Sequence, residues 1–140
     1  ITIACAFAIS KAMVNSGVAD AVARFIIGMS HHYGPHVLLA AVFIITNLFT
    51  ELITNNAAAA LAFPLALSIS SQMGVSPMPF FVVICMAASA SFSTPIGYQT
   101  NLIVQGIGNY KFTDFVRIGL PLNIITFLIS IFLIPLIWPF

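Results

Sequence analysis

The sequence predicts an all-α membrane protein, and three observations carry that prediction. First, 61% of the 140 residues are hydrophobic and only 5% are charged, against about 25% charged in an ordinary soluble domain. With a mean hydropathy of +1.13, a surface so poor in charge is matched to lipid rather than water. Second, the apolar residues run continuously instead of alternating, which argues helices over barrel strands. In lipid the backbone must satisfy its own hydrogen bonds, and helices do so within one segment. Third, the apolar runs are interrupted by short polar stretches at 54–56 and 94–101. A net charge of +1 offers no basic patch, so nucleic acid is excluded as a partner. The partner these features imply is membrane lipid.

The elements follow in order. Residues 1–13 are apolar apart from Thr2, Ser10 and Lys11 and read as the end of a spanning helix, broken by Asn15, Ser16 and Gly17. Because the chain opens on Ile1 inside an apolar run, it reads as a fragment of a longer polypeptide. In residues 18–30, Val18, Ala21, Val22, Phe25, Ile26 and Met29 share one helical face. Asp20 and Arg24 lie opposite, four apart, where they are expected to pair. This helix is too short to span, so it is expected to lie in the membrane interface. Three histidines then fall within six residues, His31, His32 and His36. With no carboxylate or cysteine near them, a polar loop at headgroup level, anchored by Tyr33, is preferred to a metal site. Cys5 and Cys85 sit in apolar runs and read as small packing residues, not a disulfide.

Residues 37–53 and 57–72 form two apolar arms around Thr54-Asn55-Asn56. Each arm is about 24 to 26 Å long as a helix, short of a hydrocarbon core of about 30 Å. The arms are either two short spanning helices or a re-entrant hairpin, taken here as residues 37–72. A turn that reaches water usually shows Gly, Pro or charge. This one has Asn and Thr with Glu51 beside it, which favours a tip buried in protein at membrane depth. The connector 74–79 precedes an apolar run that ends in small residues, Ala87 to Ser91, suited to close helix approach. Pro95 and Gly97 then interrupt it, and apolar residues resume at Leu102, so residues 79–105 read as one broken helix. Residues 105–117, with Lys111, Asp114 and Arg117, are expected to be a polar loop. Residues 118–140 are expected to be the last transmembrane helix, with Trp138 as an interface anchor.

The chemistry is expected at the two polar interruptions. Polar backbone at membrane depth is tolerated only inside protein or beside a wet cavity. In secondary transporters, half-helix N-termini face anions while freed carbonyls bind sodium. Asn and Thr suit that task because they donate to an anion, or ligate a cation, without a fixed charge. The competing reading is a pair of ordinary kinks with satisfied polar groups. Glu51 is the one acid inside an apolar run, and carrying a proton, ligating a cation and pairing near the interface all stay open for it. No zinc-protease, hydrolase-elbow or phosphate-loop motif is present, so an enzyme is not expected.

The residues also carry a family resemblance. Thr50-Glu51-Leu52-Ile53-Thr54-Asn55-Asn56-Ala57-Ala58-Ala59-Ala60 followed by Phe63-Pro64 resembles the second Ser-Asn-Thr hairpin of the divalent-anion/sodium symporter family. Ala90-Ser91-Phe92, Pro95, Gly97, Asn101, Ile103-Val104 and Gly106 resemble that family's broken-helix motif. Residues 112–123 resemble the link to its last helix. The resemblance implies the C-terminal member of two inverted repeats of an ion-transporter-superfamily fold, with interfacial helix, re-entrant hairpin and broken transmembrane helix. It implies sodium as coupling ion and no other cofactor. It places sodium at Thr54, Asn55, Asn56, Pro95, Gly97 and Asn101, and substrate at Asn55, Asn56, Tyr98, Thr100 and Asn101. It further implies an N-terminal repeat supplying the other half of the site, and a homodimer in the cell membrane moving by an elevator motion.

Two departures from the family pattern bear on substrate. The third hairpin residue is Asn56 rather than Thr, and the family's Thr-Pro-Pro-Asn stands here as Tyr98-Gln99-Thr100-Asn101. The Gly-Tyr-Gln-Thr-Asn form is similar to sulfate-type permeases, and a bulky Tyr98 leaves room for a small inorganic oxyanion rather than a dicarboxylate. The expectation is therefore sodium-coupled symport of a divalent anion, with sulfate first. The alternatives are a dicarboxylate symporter, a cation/proton antiporter or arsenite-type exporter of the same superfamily, and a membrane subunit that does not transport.

Overall fold

A computed structural model describes residues 2–29 and 34–140. Its helices are α1 (Thr2–Asn15), α2 (Val18–Met29), α3 (Pro35–Leu52), α4 (Asn55–Met73), α5 (Met78–Ser89), α6 (Gln99–Gly108) and α7 (Phe112–Ile137). No strand occurs among the described residues. His31, His32 and Tyr33, on which the metal and loop readings turned, lie outside the described residues. His36 is described, and its ring meets Phe140 edge-on at 5.1 Å.

The packed centre is the antiparallel pair α3 and α4 with α5 laid against both. Leu38, Leu39, Val42 and Phe43 of α3 meet Leu65 and Ile69 of α4 and Phe80, Val83 and Ile84 of α5 in one buried cluster. Ala58, Ala62 and Ala66 are fully buried on one face of α4, where small side chains allow close approach, and α1, α2, α3 and α5 all pack against this helix. α7 covers α5 and α3 with a face made of Gly119, Asn123, Phe127, Ser130 and Ile134, spaced three or four apart. Phe127 meets Phe43 edge-on at 5.3 Å. α6 differs from the rest: it packs against no other described helix and buries none of its residues.

Two helices, Pro35–Leu52 and Phe112–Ile137, are long and apolar enough to cross a membrane. At 26 residues, α7 extends about 39 Å, beyond the roughly 30 Å hydrocarbon core. Its outward side chains Ile118, Phe132 and Leu136 are more than two-thirds exposed, a surface that apolar solvent tolerates and water does not.

Several expectations need correction. The stretch 105–117 is not a loop, because α6 continues to Gly108 and α7 begins at Phe112. Asn109, at φ 54, ends α6 in the left-handed conformation, and the Asp114 carboxylate accepts the Lys111 N–H at 2.9 Å to start α7. Asn109, Lys111 and Asp114 are exposed, but they end and start helices rather than forming a loop. Helix starts also fall earlier than the apolar pattern implied, at Asn55 rather than Ala57 and at Gln99 rather than Leu102. The motif asparagines are therefore first-turn residues.

Asp20 and Arg24 do not pair through their side chains. Arg24 Nε donates to the Asp20 backbone carbonyl at 3.3 Å, while the Asp20 carboxylate accepts from Ser68 on α4. The face of α2 that packs is accordingly Ala19 and Ala23 with Ile26 and Ile27 beside them, and the face carrying Val18, Val22 and Phe25 is exposed. Cys5 and Cys85 are free thiols on exposed helix faces rather than packing residues. Trp138 folds back against the buried cluster.

Candidate functional site

Four helix termini meet at one place. α3 ends at Leu52 and α4 starts at Asn55, with only Ile53 and Thr54, both extended, between them. α5 ends at Ser89, nine irregular residues follow, and α6 starts at Gln99. The irregular backbone is anchored almost entirely to α3. Asn47 Nδ2 donates to Ala90 O at 2.6 Å, and Thr50 Oγ1 donates to Ala88 O at 2.7 Å, which satisfies carbonyls left over where α5 stops. Ser91 Oγ donates to Thr50 O at 3.2 Å, and Thr94 Oγ1 donates to Glu51 O at 2.8 Å. The last carbonyls of α3 are thus met by hydroxyls of the break, and those of α5 by side chains of α3.

The first turns of α4 and α6 join the same network. Thr50 carries one hydroxyl hydrogen and lies 2.8 Å from Asn55 Oδ1 as well as 2.7 Å from Ala88 O. One proton serves one oxygen, so the Asn55 amide is assigned the other orientation, its nitrogen donating to Thr50 Oγ1. Asn101 Nδ2 donates to Ser91 O at 3.2 Å and to Thr94 O at 3.3 Å. Asn55, Thr50, Ser91 and Asn101 therefore form a continuous path from the start of α4 to the start of α6. Gly97 is required where this path is tightest: a Cβ there would overlap Ser91 Oγ and the Thr50 carbonyl oxygen.

The remaining residues named from the sequence are placed as follows. Pro95 is buried in the break. Thr54 precedes α4 with its side chain exposed and uncapped. Tyr98 precedes α6 and is exposed, as is Thr100. Asn56 is not brought to Asn101. It opens onto a cleft of about 350 Å³ beside Phe7 and Phe63, whereas Asn101 lines a separate cleft of about 800 Å³ with Phe92, Val104 and Arg117.

Sequence reasoning missed four supporting residues. Asn47 and Thr50 lie one turn apart on α3 and were hidden in an apolar run. Gly119 and Asn123 lie one turn apart on α7. A Cβ at Gly119 would overlap the backbone of Phe92 and Ser93, so glycine lets α7 cross directly over the break. Asn123 then donates to Ser93 Oγ at 2.8 Å and to Glu51 Oε1 at 2.9 Å. The spacing of Asn and Gly by four in an apolar helix was the available signal.

The termini set the electrostatics. Helix starts carry a partial positive charge and helix ends a partial negative one, each equivalent to roughly half an elementary charge. Here the start of α4 adjoins the end of α3, and the start of α6 is tied through Asn101 to the break that follows α5. The arrangement offers amides suited to an anion and carbonyls suited to a cation, among neutral side chains.

An apolar all-α body interrupted by polar, charge-poor breaks is consistent with a domain of a membrane transporter. The comparisons agree and are more specific: the whole chain, residues 1–140, matches the family described as Citrate transporter, and the chain belongs to that family. It is therefore part of an integral membrane protein. It is 43% identical over 126 residues to an uncharacterized transporter of Escherichia coli, YfbS, covering 90% of this chain and 20% of that protein. It is 37% identical over 135 residues to sodium/sulfate cotransporter 1 of Chlamydomonas reinhardtii, covering 96% of this chain and 15% of that protein. It is 29% identical over 119 residues to the Na(+)/citrate cotransporter of Rattus norvegicus, covering 85% of this chain and 21% of that protein. The chain thus spans about a fifth or less of the length of these relatives.

Proposed function

We propose that this chain is the C-terminal half-site of a sodium-coupled anion symporter in the cell membrane, with sulfate as the first candidate substrate. The observation that carries the reading is the Asn55–Thr50–Ser91–Asn101 path, which holds two helix starts and two helix ends together around uncharged polar groups. Sodium is assigned to Thr54, Asn55, Pro95, Gly97 and Asn101, through side chains and backbone carbonyls, while Asn56, which opens onto another cleft, is left out of the sodium set that the resemblance implied. Once bound, its charge draws the anion to the free first-turn amides of α4 and α6, beside Asn55, Asn56, Tyr98, Thr100 and Asn101. The exposed Thr54, Asn56, Tyr98 and Thr100 have no side-chain partner among the described residues, so they are free for ligand.

The α3–α4 pair acts in this reading as a re-entrant hairpin, and α2 as an interfacial helix with Val18, Val22 and Phe25 turned to lipid. The exposed α6 is covered by a preceding inverted repeat of the same polypeptide, and two copies form a homodimer. The name of the Chlamydomonas relative supports sulfate and sodium. The name of the rat relative keeps a dicarboxylate or tricarboxylate substrate as the second reading. The test is radiolabelled sulfate uptake into liposomes holding the full polypeptide, with and without an inward sodium gradient. Sodium-dependent uptake lost in Asn55→Ala is the expected result. Citrate or succinate uptake with no sulfate uptake would replace sulfate by the second reading, and flux driven by pH alone would replace the symporter by an exchanger.

A further inference from the structure

Glu51 is not explained by the site just described. Glu51 is 8% exposed, and its Oε1 accepts the Ser93 N–H at 2.9 Å and Asn123 Nδ2–H at 2.9 Å, both neutral donors. Its other oxygen, Oε2, is buried with no partner, and so is Asn123 Oδ1. Turning the Asn123 amide over does not help Glu51: the amide oxygen could then accept from the Ser93 hydroxyl, but it would stand 2.9 Å from Glu51 Oε1 and replace that oxygen's donor by a second acceptor. The two unsatisfied oxygens therefore flank one hydrogen bond, one from α3 and one from α7, with the Ser93 hydroxyl of the break beside them.

No positive group answers them. Among the elements packed on α3, α7 carries Asp114 and Arg117, both exposed and lining the Asn101 cleft. α5 has only Cys85, exposed. α4 has no acid or base, Asp20 of α2 is turned to Ser68, and the exposed Arg24 of α2 is bonded to the Asp20 carbonyl, so among the described residues no cation reaches Glu51. A neutral donor would satisfy one oxygen and leave the carboxylate charge buried without compensation. A small positive charge at Glu51 Oε2 would compensate the carboxylate, and one shared with Asn123 Oδ1 would satisfy both unpaired oxygens.

We propose that Glu51 Oε2 and Asn123 Oδ1 hold one monovalent cation, a sodium ion or a proton, at a site separate from the hairpin tip. The site joins α3, the break and α7, so its occupant bonds the last helix to the half-site. The inference uses the proposed symport only to give the ion a role in flux; binding is read independently.

The experiment follows thermal unfolding of the full purified polypeptide in choline buffer. Sodium is raised at fixed pH in one arm, and pH is lowered without sodium in the other. Asn101→Ala serves as background to weaken the tip site. Against it, Glu51→Gln keeps the shape and lends Asn123 Oδ1 an N–H, but holds no cation; Asn123→Leu removes the second oxygen without touching the carboxylate. The background protein should gain roughly 1 °C per tenfold rise of the bound ion above its dissociation constant, and both added variants should lose that gain. Loss of the sodium response assigns sodium, and loss of the acid response assigns a proton. A background protein that responds to neither ion, or a full response kept in either variant, overturns the proposal. Loss of the response in both variants with no uptake of sulfate or citrate by the wild type would overturn the proposed symport alone.

Discussion

The hairpin tip and the helix break are both polar interruptions of apolar segments, yet they are built in opposite ways. At the break the polar groups are bonded: Ser91, Ser93 and Thr94 donate to α3, and Asn101 closes on Ser91 and Thr94. At the tip only Asn55 is tied down, by Thr50, while Thr54 and Asn56 project outward. The lesson is a division of labour. The break is a frame held by satisfied hydrogen bonds, whereas the tip leaves Thr54 and Asn56 unbonded, which the proposed ligand role requires.

The strongest way to break this comparison is to force the frame apart. Gly119→Ala sets a Cβ into the backbone of Phe92 and Ser93, where no flexible side chain can yield. We expect a loss of about 3 kcal/mol or more, read as failure of the full polypeptide to accumulate in the membrane or as a large fall in its unfolding temperature. Gly97→Ala, which meets the Thr50 carbonyl, should behave alike.

A smaller effect sharpens the claim that hydrogen bonds hold the frame. Thr50→Val keeps the shape of the side chain and removes the bonds to Ala88 O and Asn55. It should cost about 1–3 kcal/mol, measured by thermal unfolding, and should lower uptake as well because Asn55 loses its support. Asn47→Leu strips the donor from Ala90 O and should cost about 1–2 kcal/mol by the same measurement, with apparent sodium affinity the less affected quantity.

The smallest stability effect is expected at the tip, and it discriminates best. Thr54→Val and Asn56→Ala alter exposed side chains with no partner among the described residues, so stability should stay within about 0.5 kcal/mol of wild type. Uptake should nevertheless fall at least tenfold, in Thr54→Val through a raised half-saturating sodium concentration and in Asn56→Ala through a raised half-saturating anion concentration. A large loss of stability with unchanged uptake would reverse the roles assigned to the two regions.

Legibility differed between the regions for physical reasons. The tip was readable because Thr54-Asn55-Asn56 stands alone between two apolar runs, and the break because Pro95 and Gly97 interrupt a run that otherwise continues. Thr50, Asn47, Gly119 and Asn123 were not assigned a role, since a single polar or small residue in an apolar helix has many uses. Their role depends on which backbone lies across from them. The loop expected over 105–117 failed because charge was read as a loop, whereas Asp114 is a first-turn acceptor for the Lys111 N–H.

The sequence by itself determined the solvent, the helical class, the places where helices stop, and the residue types at both interruptions. These are local matters, because hydropathy, missing proline donors and glycine freedom act where they stand in the chain. Tertiary structure alone decided that the ends of α3 and α5 satisfy one another, that Asn56 and Asn101 open onto different clefts, and that Glu51 faces Asn123 across 72 positions of sequence. Those outcomes depend on how closely helices approach, which alanines on α4 and glycine at 119 permit but no local pattern spells out.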